Sequence, residues 1–90
     1  MNLKNELFNR EQGYLSKLES VKQNGFAIKY IENPSEEVQL TAVKENGRVI
    51  RHIKNPREKV QLAAVKENGC AIKYIENPTI SVQMMAKLLS

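Results

Sequence analysis

The chain contains no aspartate, and all ten of its acids are glutamate. It has no tryptophan, one histidine and one cysteine. A lone thiol excludes an internal disulfide and suits a reducing compartment, so a cytoplasmic location is expected. Cys70 and His52 cannot close a metal site by themselves, and neither a metal nor another cofactor is expected. No apolar run approaches the roughly 18 residues that span a membrane. The stretch Met1-Asn2-Leu3-Lys4-Asn5-Glu6 lacks the apolar segment of a secretory signal. No membrane partner is expected. Aromatic residues are also sparse at 6%. The apolar content of 41% is nevertheless too high for a disordered chain, and it suits helices packed through Ile, Val, Leu and Ala. Ninety residues make one small domain, 1–90.

What is present is a repeat. Residues 21–42, 43–64 and 65–86 share eleven of 22 columns: Val, Lys, Asn, Gly, Ile, Ile, Asn, Pro, Val, Gln and Ala. A fixed period of this length marks a helical-repeat architecture. Residues 1–20 read as an N-terminal cap and a degenerate repeat. Leu3, Leu7 and Phe8 predict a short amphipathic helix over about residues 2–9, and Leu15, Leu18 and Val21 lead into the first full copy. Residues 87–90 form the C-terminal end.

Each copy carries two helix signals. Asn33-Pro34 reads as a helix start, with Glu36 at capping-box spacing; Asn55-Pro56 and Asn77-Pro78 repeat the start. Asn24-Gly25, Asn46-Gly47 and Asn68-Gly69 read as stops with glycine in the left-handed region. The longer helices are predicted at 34–45, 56–67 and 78–89. The shorter ones, 26–32, 48–54 and 70–76, span about two turns or are partly 3₁₀. Their core face gathers Ala27, Ile28 and Ile31 and the equivalent residues. Gln39, Gln61 and Gln83 fall in mid-arc of the longer helices and need hydrogen-bond partners, expected in the loop of the adjacent repeat. The fold class is all-α: a right-handed α-solenoid of stacked two-helix units with capping helices at both ends.

The pattern Asn-Pro-Ser-Glu-Glu-Val-Gln-Leu-x-Ala-Val-Lys-x-Asn-Gly resembles a short repeat of uncharacterised proteins from bacteria and their phages. It is also similar to HEAT-like repeats and to the leucine-rich repeat variant. The resemblance covers residues 21–86 and part of 12–20. It implies a helical-repeat fold and a surface for binding, with no catalytic motif, so an enzyme is not expected. The variant's cysteine-ligated cluster is not carried over to a chain with one cysteine. By analogy the resemblance further implies a small phage or mobile-element inhibitor that blocks a host enzyme such as a defence nuclease.

The net charge is +4, and its distribution is uneven. The central repeat carries six cations and two anions, so it alone accounts for +4. Arg48, Arg51 and His52 share the outward face of its short helix, with Lys54 beside them and Arg57 and Lys59 further on. Tyr30 and the pair Lys73 and Tyr74 occupy the same columns one repeat to either side. Arginine and tyrosine are the residue types that become interface hot spots. The expected partner is a protein with an acidic surface. A nucleic acid is the alternative, with phosphate on arginine and bases stacked on tyrosine. No small-molecule substrate is expected, since the Asn-Gly pairs lack the Lys-Ser/Thr of a phosphate loop. The same cations also suit a solvated face, with Lys54 laddered between Glu32 and Glu76. Met84, Met85, Leu88 and Leu89 read as a cap or as an oligomerising end that gives a homodimer.

Overall fold

The computed structural model describes residue 13 and residues 15–89. The helix expected over 2–9 lies outside the described residues. All regular structure among the described residues is helical, in seven helices with no strand. Helix α1 covers residues 15–23. Three α-helices follow, α2 (Glu36–Glu45), α3 (Glu58–Glu67) and α4 (Ile80–Leu89). They alternate with three 3₁₀-helices, η1 (Gly25–Tyr30), η2 (Gly47–His52) and η3 (Gly69–Tyr74). The short helices are thus 3₁₀ throughout, and each begins at the repeated glycine.

Contacts follow the repeat. Helix α2 meets α3 and α3 meets α4, while η1 meets η2 and η2 meets η3. Each 3₁₀-helix also packs on the α-helix of its own unit. Among the described elements none reaches past its immediate neighbour unit. The principal extents are 54 × 22 × 16 Å.

The invariant columns acquire their physical reasons here, and several differ from expectation. Asn46 ends α2 with its N–H on the Ala42 carbonyl at 3.0 Å, and its side chain caps η2 by accepting from the Arg48 N–H at 3.0 Å. Asn24 and Asn68 cap η1 and η3 in the same way. One residue therefore closes one helix and opens the next, with a short side chain whose oxygen reaches the following N–H groups.

The following glycine is not in the left-handed region: no glycine among the described residues has positive φ. Close approach is what demands it. A Cβ on Gly25 would lie 2.7 Å from the Ala42 carbonyl oxygen, and one on Gly47 would lie closer still to that of Ala64. The left-handed residues are instead Asn33, Asn55 and Asn77, at φ of 47°, 50° and 51°. They form the turn before proline rather than the N-cap, and asparagine tolerates that region better than most residues. The α-helices consequently start two residues later than Pro34 and its copies. Ser35 caps α2 by accepting from the Val38 N–H at 3.2 Å, and Thr79 does the same for Val82 at 3.3 Å. Arg57 stands at that place in α3 and makes no side-chain cap.

The core is continuous along the row of units. Val21, Val38, Val43, Val49, Val60, Val65 and Val82 are fully buried, with Ile28 and Ile50 between them. Burying each such side chain stabilises the fold by about 1.5–3 kcal/mol.

Candidate functional site

Of the predicted residues, the structure brings Arg51, Lys73 and Tyr74 into contact, while Tyr30 meets Lys29 and His52 meets Phe26. The Lys29 ammonium sits 5.0 Å from the centroid of the Tyr30 ring. Arg51 reaches across to the next unit and lies 5.4 Å from the centroid of Tyr74, and Lys73 lies 5.4 Å from the same ring. His52 meets Phe26 of the preceding unit edge-on, with centroids 6.0 Å apart and planes at 71°. The repeat itself sets these pairings. Arg51 and Tyr74 stand one column apart on adjacent short helices, Phe26 and His52 stand four columns apart, and Lys29 and Lys73 meet the tyrosine next to them in their own helix.

The cations share one setting, and the rings differ. Arg48, Arg51, Lys54 and Lys73 are exposed, and Tyr30 is 80% exposed. Tyr74 is half-buried and packs against the core. His52 is pushed below its ordinary 6.5, first by desolvation and then by the charges of Arg51 and Lys29. It is therefore neutral at physiological pH, and the positive charge of the face rests on lysine and arginine.

Arg51, His52, Lys54 and Tyr74 also line one cleft of 670 Å³ between the second and third units. Arg57 and Lys59 lie outside it, on the α3 side. Glu76, Asn55, Asn77 and Gln61 add polar groups to its lining, and Ile53, Pro56 and Ile75 add apolar ones. None of the four polar residues is a site residue in the sequence reading: Asn55, Asn77 and Gln61 sit in constant columns that read as scaffold, and Glu76 reads as the partner of Lys54 in a charge ladder. The signal lay in the Gln column: each amide Nε2 donates to the proline carbonyl of its own unit. Gln39 bonds Pro34 at 3.0 Å, Gln61 bonds Pro56 at 2.9 Å and Gln83 bonds Pro78 at 3.0 Å. The partner is thus the same repeat's loop, five residues back, and not the loop of the neighbour.

The C-terminal residues divide between two faces. Met84 and Leu88 lie with Ile80 along one exposed stripe of α4, at 60%, 80% and 75% exposure. Met85 turns inward against the core. Leu89 lines a separate groove at the open end, together with Gly69, Ile72 and Lys87. Ile80 had no counterpart in the sequence reading, since it occupies the column of Glu36 and Glu58.

Cys70 is free and exposed. Among the described residues no group of three or more His, Cys, Asp or Glu is placed to hold a metal. No helix among them is long and apolar enough to cross a membrane. Comparison with known proteins finds no family model, curated protein or solved structure that matches the chain.

Proposed function

We propose that this chain is a non-enzymatic interaction module: a short, open α-solenoid whose row of 3₁₀-helices presents a cationic face to an acidic protein partner. The observation that carries this reading is the seating of Lys29, Arg51 and Lys73 over tyrosine rings. An aromatic ring orders a cation without neutralising it, whereas an ion pair would cancel the charge. The cations recur every 22 residues, so stacking places them at the spacing of packed helices, about 8–10 Å. Fixed charge of one sign at regular intervals steers and orients an acidic surface.

Nucleic acid is the less favoured partner on the same observation. Single-strand binding depends on free aromatic faces for the bases. Here Tyr74 is half-buried and flanked by Arg51 and Lys73, which leaves Tyr30, with Lys29 beside one face, as the exposed ring.

A pull-down from the source cells tests the reading, comparing the native chain with the Arg48→Glu, Arg51→Glu double variant. Acidic proteins retained by the native chain and lost by the variant are expected. Captured material that disappears on nuclease treatment would shift the reading to nucleic acid.

The stripe of Ile80, Met84 and Leu88 supports a second reading, a homodimer through α4. Light scattering decides it: a dimer that Met84→Glu and Leu88→Glu dissolve supports self-association, and a monomer at high concentration removes it.

A further inference from the structure

The groove at the open end is a seat for a short helix that no described residue fills. Helix η2 lies against both η1 and α2, and η3 lies against both η2 and α3. The same place beside η3 and α4 is a groove of 610 Å³, walled by Gly69, Ile72 and Lys73 of η3 and by Gln83, Lys87 and Leu89 of α4. Burial down the columns marks the seat. Gly25 and Gly47 are buried, whereas Gly69 is half-buried. Ile28 and Ile50 are buried and Ile72 is half-buried. Leu40 and Leu62 are half-buried and Met84 is exposed.

The two filled seats show what fits the third. Val49 of η2 is fully buried and stands 3.4 Å from the position of a Cβ on Gly25. Ala71 holds the same column in η3 and is also fully buried. The end groove therefore suits a helical turn that turns a small aliphatic side chain toward Gly69. Its walls set the charge of that turn. Lys73 and Lys87 line the groove, and no acid is among its lining residues. The Lys73 ammonium lies 5.4 Å from the centroid of Tyr74, an aromatic contact that orders it without neutralising it. Lys73 thus belongs to the groove and to the cationic face at once. The short helices of a second copy fit poorly. They carry Lys29, Arg48, Arg51 and Lys73 and no acid, so they set like charge against the groove.

We infer that the end groove binds a helical turn of an acidic protein, with an aliphatic side chain against Gly69 and Ile72 and carboxylates on Lys73 and Lys87. This is helix-in-groove recognition, with the apolar anchor giving affinity and the flanking charge giving choice of partner. The partner's charge rests on the acidic-partner reading of the 3₁₀-helix face; the apolar anchor goes beyond it.

Nuclear magnetic resonance titration of the full chain at low salt tests it. The probes are three blocked, alanine-based helical peptides of one length. The first carries glutamates beside two isoleucines at i and i+3, the second has serine in place of isoleucine, and the third has lysine in place of glutamate. The first is expected to shift the backbone amides of Gly69, Ile72 and Leu89, and to bind roughly tenfold or more tightly than the serine peptide. The lysine peptide is expected not to bind. Equal binding of the glutamate peptides, with shifts confined to Arg48, Arg51 and their neighbours on η2, overturns the groove and leaves the acidic-partner face standing. No shift with either glutamate peptide overturns both. Groove shifts driven equally by the lysine peptide overturn the acidic assignment. Shifts at Gly69, Ile72 and Leu89 on concentrating the protein alone overturn it in favour of a second copy.

Discussion

Arg51 and Tyr74 belong to different repeats, yet the guanidinium lies 5.4 Å from the ring centroid. This contact ties η2 to η3 on the solvent side, opposite the core. It leaves the arginine charged and ordered at the mouth of the cleft that Gln61 lines. Architecture and candidate function meet at that pair.

The glycine columns give a graded stability series. A Cβ at Gly47 meets the Ala64 carbonyl most closely, one at Gly25 would stand 2.7 Å from Ala42, and one at Gly69 would stand 3.6 Å from Ala86. Overpacking of this kind costs about 1–3 kcal/mol. Gly47→Ala is expected to lose about that much in urea unfolding. Gly69→Ala is expected to be neutral or slightly stabilising, because ordinary van der Waals space is available and the unfolded chain loses freedom. Equal losses at the two sites would contradict the close-approach account.

The missing cap of α3 can be restored. Ser35 and Thr79 accept from backbone N–H groups at their helix starts, and Arg57 does not. Arg57→Ser is expected to raise stability by about 0.5–1 kcal/mol in the same unfolding assay. Ser35→Ala is expected to lower it by a similar amount. No gain at Arg57 would show that its aliphatic stem already compensates for the lost cap.

Much of the fold was legible in the sequence, and the limits are instructive. The period, the α-helical class and the core columns such as Ile28, Val38 and Val60 follow from spacing and apolar pattern; the short helices, expected as about two turns or partly 3₁₀, are 3₁₀ throughout. The roles of the small polar residues do not. Asparagine serves equally as N-cap, as helix closer or as a left-handed turn residue, and Asn33 and Asn46 look alike in sequence while one has φ 47° and the other −157°. Glycine serves left-handed turns and close contacts alike, so Gly47 was assigned the wrong one of two true properties of glycine. The cationic face was legible because it varies between repeats. The cleft was not, because Asn55, Gln61 and Asn77 sit in invariant columns where a structural role hides any other.

His52 gives the face a pH signature. Its folded pKa is held below the ordinary 6.5, by desolvation first and then by Arg51 and Lys29. The folded state thus binds the proton less readily than the unfolded chain does. The neutral form is favoured by folding, full stability holds above 6.5, and stability falls as pH drops below it. A titration of the His52 ring protons is expected to give a midpoint below 6.5 that rises in Arg51→Gln. Thermal melts of His52→Gln are expected to lose less stability on acidification than the native chain. A midpoint at or above 6.5 would remove this account of the site's electrostatics.

The valine column breaks at Lys87. Val21, Val43 and Val65 are fully buried in successive units, and Lys87 occupies the next position in that column. A lysine there lines the terminal groove with Gly69, Ile72 and Leu89. A charged side chain in this column withholds the apolar seat that valine gives the preceding units. Lys87→Val is expected to produce concentration-dependent association in sedimentation, at unchanged helical content. A variant that stays monomeric would show that other residues close the end.

Binding of an acidic protein surface by the 3₁₀-helix face, through Arg51 and its neighbours, is the proposal on which the rest depends. Fluorescence anisotropy of a labelled oligoglutamate at low salt, read against unlabelled oligothymidylate as competitor, tests it most directly. The native chain is expected to bind, with affinity falling as salt rises, and the Arg48→Glu, Arg51→Glu variant is expected to lose roughly tenfold or more. Unchanged binding in that variant, or displacement by oligothymidylate at lower concentration than by oligoglutamate itself, would contradict the claim.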